Sequence, residues 1–160
     1  MLLIFMKTLV VFYSRSGNTK KIAEDISNKM KCDIEEIIDT KSRKGIIGWL
    51  RSGSDARARR LTEIQKVKYD PNKYDLISIG TPVWAGLMAP AVRTYINQNK
   101  NNFKNVAFFC TCGNSPGDIK TFADMEDYIG ITPLSKLSIT TKELKTNYED
   151  KIKSFIKGLK

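Results

Sequence analysis

Residues 9–13, Leu9-Val10-Val11-Phe12-Tyr13, form an unbroken apolar, β-rich run, and such a run calls for a strand covered on both faces. A strand with one wet face would alternate instead. Cover on both faces means a sheet held between two layers of helices. Two further runs of this kind, residues 76–80 and 106–110, strengthen the inference. Each run gives way to Gly, Pro or small polar residues and then to apolar positions at helical spacing. Ile22, Ala23, Ile26 and Met30 predict a helix over 19–31; others follow over 88–97, with Pro90 in the first turn, and over 119–128. Residues 34–38, broken by Glu35 and Glu36, suit an edge strand, and 134–139 read as a half-exposed one. A last helix carries Leu144, Tyr148, Ile152, Phe155, Ile156 and Leu159 on one stripe. The expected fold is therefore α/β: a three-layer αβα sandwich around a five-stranded parallel sheet with right-handed crossovers. In such sheets ligands bind beyond the carboxyl ends of the strands. The loops after Tyr13, Gly80 and Cys110 become the places to look.

A chain of 160 residues suits one domain, 1–160, with residues 1–5 as an N-terminal extension ahead of a second methionine, Met6. No apolar run approaches the ~20 residues of a membrane helix, and no signal-peptide pattern opens the chain, so a cytoplasmic protein is expected. With no His, neither a His-dependent triad nor a His-ligated zinc can be built. Three Cys (Cys32, Cys110, Cys112) cannot make a disulfide framework or a four-thiolate metal site. The formal charge of +10 favours anionic partners.

Ser14-Arg15-Ser16-Gly17-Asn18-Thr19 lies between a buried strand and a helix N-terminus, where free backbone N–H groups and the helix dipole favour an anion. Ser14, Ser16 and Thr19 add hydroxyl donors, and Gly17 permits close backbone approach. The same residue types also make an ordinary capped turn. The spacing is not that of a P-loop.

Residues 7–19, KTLVVFYSRSGNT, resemble the opening of flavodoxins, a hydrophobic strand running into [ST]x[ST]Gx[ST]. The resemblance implies strand order 2-1-3-4-5, with FMN where the order reverses. It implies that Ser14, Arg15, Ser16, Gly17, Asn18 and Thr19 wrap the FMN phosphate, with the Arg15 side chain free to point to solvent. Gly80, Thr81, Pro82, Val83, Trp84, Ala85 and Gly86 are similar to the family's GxPxWxG segment beside the flavin ring. Trp84 is then the stacking partner, and the Gly86 peptide the one that turns over as the flavin changes redox state. Thr111, Cys112, Gly113, Asn114 and Asp118 would meet the pyrimidine edge. Many small flavodoxins carry a Tyr in this third loop; here there is none, which leaves one ring face open to a substrate.

The connection 41–69 is longer than a bare crossover. From 41 to 60 it holds seven basic residues against one acid, Asp55, and within it Ile46, Ile47, Trp49 and Leu50 are apolar. Residues 44–53 resemble an insertion found in a subset of flavodoxin-like proteins. Four readings stay open: an apolar side packed on the body beneath a solvated basic face, a lid over the flavin, a dock for an acidic redox partner, or a peripheral membrane contact. Trp49 favours a lid or an interface. Nucleic-acid binding is not expected, as no recognition motif accompanies the charge.

The resemblance implies an FMN-binding electron-transfer protein with no catalytic acid, base or nucleophile and no metal, the cofactor carrying the chemistry. The alternatives are an FMN-dependent reductase using NAD(P)H or a quinone, and a flavin-free binding or signalling module.

Overall fold

The structure is a computed structural model that describes residues 5–113 and 117–160. The elements run β1 (Thr8–Phe12), α1 (Asn18–Met30), β2 (Asp33–Glu36), α2 (Gly45–Arg57), β3 (Leu76–Trp84), β4 (Leu87–Met88), α3 (Pro90–Asn99), β5 (Asn105–Cys112), α4 (Asp118–Ile129), β6 (Lys136–Thr140), α5 (Thr141–Lys145) and α6 (Glu149–Lys157). Five strands pair in parallel in the order β2-β1-β3-β5-β6. With the two-residue β4 set aside, this is the 2-1-3-4-5 order that the resemblance implied. The sixth strand exists because β3 runs past Gly80 to Trp84 and turns back, Val83 pairing Met88 and Trp84 pairing Leu87.

Each central strand feeds both faces of the sheet, because successive side chains point opposite ways. Leu9, Val11 and Tyr13 of the first run join Ile77, Ile79, Val106 and Phe108 under α3 and α4. Val10 and Phe12 join Ala107, Phe109, Leu137 and Ile139 under α1 and α6. Buried runs in the sequence and buried faces in the fold thus share one cause.

Two expectations are corrected. The final helix is two helices, because Thr140 and Glu143 form a capping box that starts α5, while Asn147 Oδ1 accepts the Glu149 N–H at 2.9 Å and starts α6. β2 stops at Glu36, and the chain beyond it turns to pair with the returning crossover: Thr40 N–H donates to Glu63 O, and Gln65 N–H to Ile38 O, both at 2.9 Å. For α2 the structure decides among the readings left open. Its apolar residues do not pack on the body: Gly48, Ser52, Asp55 and Ala56 are buried, while Ile46, Ile47, Trp49 and Leu50 face outward.

A buried ionic cluster explains that orientation. Arg43 donates through Nε to Asp39 (3.0 Å) and through Nη1 to Asp55 (2.6 Å), all three side chains being almost fully buried. Lys41 and Arg60 reach Asp55 from outside at 3.3 and 3.0 Å. A charge removed from water must keep its partners. The Asp55 face of α2 therefore turns inward and the opposite face turns out.

Candidate functional site

The loops after β1, β3 and β5 lie together at the carboxyl end of the sheet. Gly17, with φ at +95°, is the N-cap of α1, and no side chain caps the helix. The first-turn N–H groups of Asn18, Thr19 and Lys20 therefore have no partner within the helix. Ser14 Oγ accepts the Gly17 N–H at 3.1 Å, which curls the loop so that Ser16, Gly17 and Asn18 stand exposed. An anion there would meet free donors and the positive end of the helix dipole.

Two residues of this loop behave differently from expectation. Thr19 Oγ1 is buried and bonded at 2.7 Å to Thr111 Oγ1, tying the first loop to the end of β5. Thr19 offers a ligand its backbone N–H first. Arg15 is exposed, yet its guanidinium is tied down: it donates through Nε to Arg43 O (2.8 Å) and through Nη2 to Gly45 O (3.3 Å). It thereby straps the first loop to the start of α2.

The second loop is a two-residue hairpin. Ala85 (φ 51°) and Gly86 (φ 73°) are both left-handed, as a tight turn matching strand twist requires, and at Ala85 the conformation costs energy that glycine would be spared. Thr81 is spent inside the fold, accepting Ala89 N–H at 3.0 Å and donating to Pro82 O at 2.8 Å. Pro82, Val83 and Trp84 are half-buried. The Trp84 indole stands edge-on to Tyr13, ring centres 5.6 Å apart at 86°. Burial, followed by the Asp39 carboxylate, pushes the Tyr13 phenol up to about 12 and outweighs Arg43 and Arg15. The ring beside Trp84 stays neutral at physiological pH.

In the third loop, Thr111 and Cys112 are buried, Gly113 is exposed, and Gly117 and Asp118 are half-buried at the start of α4. Asn114 lies outside the described residues. A Cβ on Gly117 would come within 2.7 Å of Val83 Cγ1, so glycine here lets the second and third loops touch. Cys110 and Cys112 point to one side of β5, with Ser138 Oγ 3.7 and 3.6 Å away. Hydrogen bonding to Cys112, together with burial, pushes the Cys110 thiol up and keeps it protonated.

The crossover supplies one wall of the site, in line with the lid reading that Trp49 favoured. Trp49, Leu50, Gly53 and Arg57 of α2 face Val83, Trp84 and Ala85 across a cleft of about 430 Å³. Trp49 carried a hint as an indole in a basic stretch. That α2 reaches the hairpin depends on the buried Arg43 cluster and the Arg15 strap, which no local pattern reveals.

A family model described as Flavodoxin matches residues 7–131. No curated protein matches the chain. Among solved structures, a flavoprotein of Lactobacillus acidophilus NCFM in complex with FMN is 27% identical, with a TM-score of 0.71 over 88% of this chain and 97% of that one. A WrbA-like flavodoxin from Agrobacterium tumefaciens is similar at 14% identity and a TM-score of 0.58, over 97% and 98% of the two chains. Oxidised flavodoxin 1 from Bacillus cereus is 16% identical, with a TM-score of 0.52 over 95% and 96%. The last two likenesses speak for the fold alone.

Proposed function

The chain belongs to the flavodoxin family, and from that premise we propose that it binds FMN and transfers electrons. The observation that carries the reading is the convergence of three loops on one end of the sheet, an uncapped α1 N-terminus beside a half-exposed indole. Bound FMN supplies reversible one- and two-electron transfer. The chain's own work is to bind and shield. The N–H groups of Asn18, Thr19 and Lys20, with the hydroxyls of Ser14 and Ser16, hold the phosphate. Trp84 covers one ring face, and the backbone of Pro82, Val83, Ala85 and Gly86 flanks its edge. Residues 111–113 and Asp118 line the pyrimidine side. Thr81 supports the second loop from beneath. Arg15 acts as a positioning residue, holding α2 against the phosphate loop. The basic body fits an acidic redox partner.

One observation favours a second reading, an FMN-dependent reductase. The cleft between α2 and the hairpin has two indoles and Arg57 on its walls, with room for a planar substrate such as a nicotinamide or a quinone. Steady-state turnover with NAD(P)H and a quinone separates the two, since a carrier shows almost none.

Cofactor binding is tested by titrating apoprotein with FMN and following flavin fluorescence and the visible spectrum. Quenching with a shifted absorption band is expected. Gly17→Asp should weaken binding at least about tenfold, because a carboxylate would face the phosphate and Gly17 sits at positive φ. Unquenched, unshifted flavin with the native protein would defeat the reading.

A further inference from the structure

We propose that the outward face of α2 docks on an anionic phospholipid bilayer. Ile46, Ile47, Trp49 and Leu50 are 79%, 74%, 62% and 59% exposed, and their spacing places them as neighbours on the first turns of one helix. A contiguous apolar patch on an otherwise polar surface marks an interaction site. Folding did not need to leave it bare, for the same helix buries Gly48, Ser52 and Asp55 on its other side.

Charge selects the occupant. Lys41, Lys44, Arg51, Arg57, Arg59 and Arg60 of the segment are exposed. Lys41 and Arg60 are paired with Asp55 and Arg59 with Asp124, and the exposed acids Glu63 and Asp127 lie toward that end of the segment, whereas Lys44, Arg51 and Arg57, on α2 and its N-cap, make no ion pair among the described residues. What α2 presents is therefore hydrocarbon bordered by the cations Lys44, Arg51 and Arg57. A second copy would set Lys44, Arg51 and Arg57 against their own equivalents, a like-charge contact that opposes pairing. A protein partner calls for a rim of mixed donors and acceptors, and the charged side chains that border this patch on α2, Lys44, Arg51 and Arg57, are all cationic donors. Anionic headgroups over acyl chains meet both features at once: the indole sits at headgroup depth, the aliphatic residues below it, and the basic side chains on the phosphates. The strap from Arg15 to the carbonyls of Arg43 and Gly45 holds the start of the helix in place for that contact.

Trp49 and Leu50 also border the cleft opposite Trp84, so the readout is membrane partitioning and not flavin binding or turnover. The proposal is tested by flotation of the full chain with vesicles of phosphatidylcholine alone or mixed with phosphatidylglycerol. The protein should float with the mixed vesicles, remain behind with phosphatidylcholine, and be released by high salt. Ile46→Ser, Trp49→Ser and Leu50→Ser together should weaken partitioning at least about tenfold, since the lost contact is apolar, with thermal unfolding unchanged. No flotation at low salt, or equal flotation of native and triple variant, overturns the proposal. So does a monomer–dimer equilibrium in sedimentation that the triple variant abolishes. A plant-type ferredoxin, used as an acidic protein probe, that binds the native chain but not the variant while vesicles do not, would assign the face to a protein instead.

Discussion

α1 and α2 are both helices of 13 residues, yet they are mounted on the sheet by opposite means. α1 buries Ile22, Ala23 and Ile26 completely and leaves its charges in water. α2 buries a glycine, a serine, an alanine and an aspartate, and turns its large apolar residues out. Hydrophobic burial holds α1. A buried ionic cluster and a strap of backbone carbonyls hold α2. The difference teaches that apolar spacing tells where a helix has an apolar face, and burial tells what that face is for.

The largest expected effect belongs to α1. Ile26→Ala should cost roughly 4 kcal/mol of global stability, measured by urea unfolding, because the site is closed on all sides. A loss below about 1 kcal/mol would break the comparison at its first half. Next comes Arg43→Ala, expected to cost about 3 kcal/mol by stranding buried carboxylates. That loss should fall mainly on the crossover, so hydrogen exchange of the α2 amides should quicken while β1, β3 and β5 stay protected. Uniform quickening throughout would show that α2 is not a separately held element.

Acid provides a gentler probe of the same cluster. Burial alone would raise the Asp55 carboxyl, but hydrogen bonds from Arg43, Arg60 and Lys41 prevail and hold it at about 2. The folded value lies below the unfolded one, so this stability is complete above about pH 4 and is lost as pH falls from there toward 2. The contribution is about 2 kcal/mol, and Asp55→Asn should remove that pH dependence from the unfolding curve. Smallest of all, Ile46→Ser with Leu50→Ser should shift stability by no more than ~0.5 kcal/mol per residue, since both side chains already face water. A clear drop in Tm would mean that the patch is packed in solution after all.

Much of the site is visible in residue order. The anion-binding character of residues 14–19 follows from hydroxyl side chains and a glycine at a strand-to-helix junction, and the structure leaves that helix end uncapped. The inner commitments of Thr19 and Thr81 are invisible in the same way that Arg15's strap is. Thr19 pairs with Thr111, 92 positions away, and Arg15 reaches carbonyls 28 and 30 positions on. A hydroxyl in a motif looks alike whether it faces a ligand or a neighbouring strand.

What the amino-acid order determined alone is the layered parallel sheet, its buried strands and the loops at their carboxyl ends, because these arise from apolar runs and spacings within a few residues of one another. What the tertiary structure decided is the inward turn of the Asp55 face and the wall that α2 raises opposite Trp84. Each of these is settled by charges or hydroxyls meeting across the fold, where a buried ion's need for partners outweighs the preference of four apolar side chains for the interior.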